Sequence, residues 1–223
     1  MTVIEPIAYP GDPHRVGHHH GPYDVGMAPG HGEGGVASKR VIVGYGFWIF
    51  LLSDIVMFSA FFAAYAVLAQ QTAGGPSGRQ LFNLDNVGLE TAFLLSSSFT
   101  GGLASISAGA RHRASFQLAM AVTFLLGLGF LILEGREFAD LVRRGYGPQR
   151  SAFLSAFFTL VGCHGLHVTC GLMWLLTMMA QVMAKGFRSD ILRRILCFSL
   201  FWYALDIIWV ALFTVVYLIG AIG

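Results

Sequence analysis

Charge is scarce in this chain. Only 12% of its 223 residues are Asp, Glu, Lys or Arg, against 55% hydrophobic, and the formal net charge is +2. No stripe of basic side chains interleaved with aromatics is present, which removes nucleic acid from the partners to consider. Cysteine is scarce as well: Cys163, Cys170 and Cys197 are the only three, and all lie inside apolar runs. Cys163 and Cys170 stand seven apart on one helix face, where a disulfide is geometrically unavailable. A copper role would need a second cluster of soft ligands that the chain does not supply, so the three thiols read as small packing groups. The alternating ten-residue segments of a membrane barrel are missing too. No apolar stretch with a cleavage site precedes the first long apolar run, and that run is therefore expected to stay as an anchor.

What is present is long apolar blocks. A helix needs about 20 apolar residues to cross a hydrocarbon core of about 30 Å. Five such blocks follow residue 40: Val41 to Ala69, Val87 to Ala110, Ser115 to Leu141, Ala152 to Met183, and Ile195 to Ala221. They predict an all-α, polytopic membrane protein, a bundle of five transmembrane helices over 41–223. Residues 1–40 are of another kind, rich in Gly, Pro and His (HRVGHHHGPYD, then MAPGHGEGG), with no apolar period. Such a segment buries too little surface to fold alone and reads as a mobile tail. His18, His19 and His20 form a run that could hold a metal ion, but three adjacent imidazoles without a fixed surround make a poor site.

Basic residues flanking the spans set the expected orientation. With the N-terminus inside, nine Lys and Arg fall on the cytoplasmic side (Arg15, Lys39, Arg40, Arg111, Arg113, Lys185, Arg188, Arg193, Arg194) and four outside (Arg79, Arg143, Arg144, Arg150), with Arg136 within a span. That bias predicts a cytoplasmic N-terminus and a periplasmic C-terminus.

Ionisable residues inside the spans carry the most information, because charge at membrane depth is expensive and usually has a reason. At a rise of about 1.5 Å per residue, Asp54, His164, His167 and Asp206 come near the bilayer middle. Glu90, with Glu134, Arg136 and Glu137, falls near the outer interface, where Arg136 is expected to snorkel and pair with a carboxylate. For the middle group, proton relay and ligand anchoring compete with a plain hydrogen bond joining two helices. A haem clamped by two histidines needs them on different helices, whereas His164 and His167 sit three apart on one. A di-metal carboxylate bundle needs Glu-x-x-His pairs; here Glu134-x-x-Glu137 and His164-x-x-His167 lie on separate spans, several residues apart in depth. The chain itself is expected to hold no haem, copper or other metal.

Two patterns concern packing. Ser97, Gly101, Ser105 and Gly109 recur every four residues in the second block, a stripe that lets another helix approach closely, whether from a partner subunit or from this chain's own bundle. In the fifth block Phe198, Phe201, Trp202, Tyr203, Trp209, Phe213 and Tyr217 are either the lining of a lipid groove or lipid-facing bulk.

Four stretches together resemble a known family: GFWIFLLSDIVMFSAFFAAYAVL, ETAFLLSSS, GPQRSAFLSAFFTLVGCHGLHVTCGLMW and SLFWYALDIIWVALFTVVYLIG. From about Val43 to Gly220 the chain is similar to subunit III of the haem-copper respiratory oxidases, and most resembles the bacterial bo-type ubiquinol oxidase branch. The HGLHV run and the Trp202-x-x-x-Asp206-x-x-Trp209 pattern in order are the most specific parts, and the loop TAGGPSGRQLF also resembles the quinol branch. Asp54 stands where many cytochrome c oxidase relatives have Glu, and Tyr203 where relatives commonly have His. Five spans match the quinol-type protein; the cytochrome c oxidase subunit usually has seven.

The resemblance implies a non-catalytic subunit of a proton-pumping quinol oxidase in a bacterial inner membrane. Haems and copper would sit in partner subunit I, on which this chain packs, with subunits II and IV in the same complex and phospholipid bound in a cleft. It also implies support of proton uptake and complex integrity. Asp54, Glu90, Glu137, His164, His167 and Asp206 then become candidates for buried polar, lipid or interface contacts. The competing reading is an independent proton-coupled transporter using Asp54, His167 and Asp206. It lacks the internal repeat and the Gly/Pro-broken spans in matching halves that such a protein is expected to show.

Overall fold

In the computed structural model, residues 39–74, 84–218 and 220 are described. The His18–His20 run and the rest of residues 1–38, Arg79, most of the 72–82 loop and Gly223 lie outside the described residues; Lys39 and Arg40, expected in the tail, are the first residues of the first helix. Those described belong to one compact unit, Ser38–Gly223. Among them there are five helices and no strand: α1 Lys39–Leu68, α2 Leu84–Gly109, α3 Arg113–Arg143, α4 Ala152–Lys185 and α5 Ser189–Leu212, the last continuing into a π-helical segment, Phe213–Leu218.

Four of the five are long and apolar enough to cross a membrane: α1, α3, α4, and α5 with its π segment. The second block falls short on that measure. Its 26 residues would span about 39 Å, but its serines, threonines, glycines and Glu90 dilute the apolar content. The same residues explain where it lies, since α2 packs along α3 more extensively than any other helix pair does.

Helix ends differ from the apolar blocks in an instructive way. The fifth helix begins at Ser189 rather than Ile195, because Ser-Asp-Ile-Leu-Arg-Arg is amphipathic: Ile191 is buried while Arg194 is exposed. Hydropathy marks the part of a helix inside lipid, and a helix does not stop where the lipid does. Likewise α3 runs on to Arg143, two residues past its block. It closes in a Schellman turn, with Tyr146 N–H bonding Leu141 O at 2.9 Å and Gly145 N–H bonding Val142 O at 3.0 Å. Gly145, at φ 79°, takes the left-handed position that this turn requires. Ser151 then caps α4, its hydroxyl accepting from Leu154 N–H at 3.2 Å, so the reversal between α3 and α4 is set by local chemistry at both ends.

α4 and α5 form the middle of the bundle. α1 lies against both of them, α3 packs on α4, and α2 packs on α3 and α5. The faces of α1 turned away from this pair are covered with exposed apolar side chains such as Ile42, Tyr45, Ile49, Val56 and Val67, as lipid contact demands.

Candidate functional site

The buried polar groups begin with the two imidazoles of α4. Three residues apart, His164 and His167 lie near one face, but their surroundings differ. His164 is fully buried and its Nε2–H donates to the backbone carbonyl of Leu205 on α5 at 3.3 Å. A carbonyl only accepts, so this bond fixes the tautomer and leaves Nδ1 as an acceptor, for which no partner exists within the chain among the described residues. Around it stand Phe58, Phe130 and Trp209, the last with its ring centroid 5.1 Å from the imidazole. His167 is half-buried and turns inward on its own helix, Nδ1–H donating to Cys163 O at 2.8 Å. Asp54 of α1 lies within electrostatic reach of His167.

Asp206 sits elsewhere. It neighbours Ser98 of α2 and borders a groove of about 340 Å³ with Leu95, Tyr203, Ile207 and Val210. Asp54 thus lies near His167, whereas Asp206 lies against α2. A second groove, of about 370 Å³, opens between α1 and α5 and is bordered by Leu51, Ile55, Phe58, Tyr203, Ile207 and Ile208 among others. Tyr203 and Ile207 border both grooves.

The group expected at the outer interface is rearranged most. Glu90 and Glu134 are 1% and 4% exposed, and Glu90, Glu134 and Glu137 all lie within electrostatic reach of one another. Arg136 is exposed and pairs with none of them; the ion pairs among the described residues are Arg144–Asp140 and Arg188–Asp190. The reason is helical geometry. Residues two apart point to nearly opposite sides, whereas residues three apart share a face, so sending Glu134 and Glu137 inward sends Arg136 out. The expected difference in depth also disappears, because α3 extends to Arg143 and Glu134 lies about two and a half turns inside that end. Its Oε1 would be 2.7 Å from a Cβ placed on Gly165, directly beside His164. Tyr217, brought round by the π segment, donates its hydroxyl to Glu137 Oε2 at 3.4 Å.

Sequence reasoning placed Trp202 among residues lining a lipid groove or facing lipid and passed over Gly127 and Gly171; Trp202 is instead buried, and the three hold the bundle together. The Trp202 indole lies between α3 and α4, where a Cβ on Gly127 would be 3.1 Å from Cη2 and one on Gly171 2.9 Å from Cζ3. Its Nε1–H crosses to α2 and donates to Ser97 Oγ at 3.1 Å. The small-residue stripe serves the same contact: Gly101 faces Thr123 and Trp202, Ser105 Oγ bonds Ser199 Oγ at 2.7 Å, and Gly109 meets open space. A Cβ at Gly101 would make ordinary contacts at 3.9 to 4.0 Å, but the branches of a leucine have no room. Gly101→Leu is therefore expected to destabilise the bundle by about 1–3 kcal/mol, read as a lower thermal midpoint of the purified protein, while Gly109→Leu is expected to leave it unchanged. An unshifted midpoint for Gly101→Leu would place that face toward lipid.

No group of three or more His, Cys, Asp or Glu side chains converges in a way that could hold a metal ion among the described residues. Nor can the two imidazoles clamp one haem between them, because both rings lie on one helix. The three cysteines are free, Cys197 buried, Cys163 half-buried and Cys170 exposed.

Comparison with known proteins supplies what the site does not. The family described as cytochrome c oxidase subunit III matches residues 29–221. Subunit 3 of the cytochrome bo(3) ubiquinol oxidase of Pseudomonas aeruginosa is 48% identical over 211 residues, 95% of either chain. The protein of the same description from Pseudomonas putida is 50% identical over 79% of this chain and 86% of its own. Subunit 3 of a cytochrome c oxidase from a Bacillus species is 43% identical over 80% of this chain and 86% of its own. With that coverage at both ends of the comparison, the chain belongs to the cytochrome c oxidase subunit III family.

Proposed function

We propose that this chain is the non-catalytic subunit III of a proton-pumping terminal quinol oxidase in a bacterial inner membrane. The observation that carries this is the 48% identity over 95% of both chains to a subunit described as belonging to a ubiquinol oxidase. The electron donor is assigned from that relative. A cytochrome c oxidase subunit at 43% identity indicates that the family changes donor without rebuilding this subunit, as expected if the donor binds elsewhere in the complex. Subunit I, carrying the haems and copper, is the surface on which the bundle packs, with subunits II and IV in the same assembly. Purification in mild detergent tests it: haem-bearing chains are expected to co-purify in fixed ratio and to oxidise quinol. A folded chain that purifies alone, with no haem-bearing companion, would overturn the assignment.

Within that role, α2 is the fifth membrane span, shielded from lipid along much of its length by α3 and α5 and so tolerant of its serines and threonines. The apolar groove between α1 and α5 suits a phospholipid acyl chain. Asp54, His167, His164 and Asp206 act as polar ties within the bundle and support proton uptake by keeping the subunit in place. The N-terminal tail, which the start of α1 at Lys39 limits to residues 1–38, lies on the cytoplasmic side, and the C-terminus is periplasmic. Orientation is open to labelling at two exposed positions in loops on opposite sides. In intact cells, Arg150→Cys is expected to react with a membrane-impermeant maleimide and Arg188→Cys only after the cells are opened. The reverse pattern would invert the topology.

A further inference from the structure

Three carboxyl groups meet in a closed part of this bundle. Glu90 comes from α2, Glu134 and Glu137 from α3, and Tyr217 from the π segment closes over them. Glu90 and Glu134 are each more than nine-tenths buried, and Glu90 Oε2 and Glu134 Oε2 have no hydrogen-bond partner within the chain among the described residues. A buried oxygen left without a donor is rare in native proteins and marks something that satisfies it. Charge poses the same question. Like charges this close repel strongly where water is excluded, and the basic side chains at this end, Arg136, Arg143, Arg144 and Arg150, are all exposed. The other titratable groups facing this region bring no cation into it. His164 of α4 gives its Nε2–H to Leu205 O, and Tyr65 of α1 gives its hydroxyl to Val216 O at 3.5 Å.

We propose that Glu90, Glu134 and Glu137, enclosed by Tyr217 and Gly165, form a binding site for shared protons and bridging water. Protons supply the neutralisation that no cation supplies, and water donates to the orphaned oxygens; a polar cavity with several partners is where buried water is found. Two local features are built for it. Gly165 lets the Glu134 carboxyl approach α4, since a Cβ there would stand 2.7 and 2.9 Å from its two oxygens. The π turn, a feature frequent at functional sites, brings Tyr217 round onto Glu137. The site needs no particular partner, so its test is separable from the quinol oxidase assignment.

The test is infrared spectroscopy of the detergent-purified full chain, in whatever assembly it is extracted, at about pH 7, well above the ordinary glutamate value of about 4.3. Glu134→Gln is expected to remove a carboxylic-acid C=O band that exchanges slowly in D2O. Asp140→Asn, at an exposed ion pair, should remove carboxylate bands only. If Glu134→Gln does not accumulate, Glu137→Gln, less deeply placed, gives the same readout. Loss of carboxylate bands alone from either Glu variant would mean that the cluster is ionised and would overturn the proposal. In a density map of the assembly, an ordered peak between Glu90 and Glu134 is expected, and an empty, contracted cluster would count against bridging water.

Discussion

Trp202→Ala is expected to destabilise the bundle by about 3–5 kcal/mol. Three effects fall together at that residue. The indole fills the space between α5 and the Gly127 and Gly171 positions of α3 and α4, so its removal leaves a cavity that the helices would have to collapse to close. It stacks on Phe198 with ring centroids 5.6 Å apart, a contact worth about 0.5–1.5 kcal/mol beyond burial. Its N–H is also the group that ties Ser97 of α2 to α5. Trp202→Phe separates these, keeping most of the volume and losing the hydrogen bond, and is expected to cost about 0.5–1.5 kcal/mol. The check is the thermal midpoint of the purified assembly together with the fraction of this chain retained in it. If the alanine variant matches the phenylalanine variant, the indole is not filling that space.

The residues that make this contact show what could be read from the sequence and what could not. Apolar runs long enough to cross a bilayer are visible in one dimension, and four of the five predicted blocks became helices of the required length and hydropathy. Their true ends were not visible, because residues such as Arg193 and Arg194 extend a helix without being apolar. The inward turn of Glu134 and Glu137 was legible from their spacing of three and the position of Arg136 between them. Counting depth from the ends of the apolar blocks concealed it. The Glu134 approach to Gly165 and the engagement of Trp202 by two glycines depend on how helices cross, which periodicity within a single helix does not encode. Twenty-eight glycines occur in the chain, and nothing in their local sequence distinguishes Gly171, against an indole, from Gly109, against open space.

That distinction yields the second large effect. Alanine is favoured over glycine in a helix by about 1 kcal/mol, so Gly171→Ala would stabilise α4 if the position were open. It is not open: the new Cβ would stand 2.9 Å from Trp202 Cζ3, 3.2 Å from Trp202 Cε3 and 3.2 Å from Phe201 Cε1. Rings held on their other faces by α3 and α5 have little freedom to retreat. Overpacking of this kind costs about 1–3 kcal/mol, enough to outweigh the propensity gain, and Gly171→Ala is expected to lower the thermal midpoint. The cause can be isolated by repeating the change in a Trp202→Ala background. There the principal obstruction is gone, only Phe201 remains close, and the propensity term is set against a smaller clash. The two changes should couple by about 0.5–3 kcal/mol, with Gly171→Ala far less harmful, or favourable, once the indole has been removed. Equal costs in both backgrounds would show that the indole does not set the distance between α4 and α5.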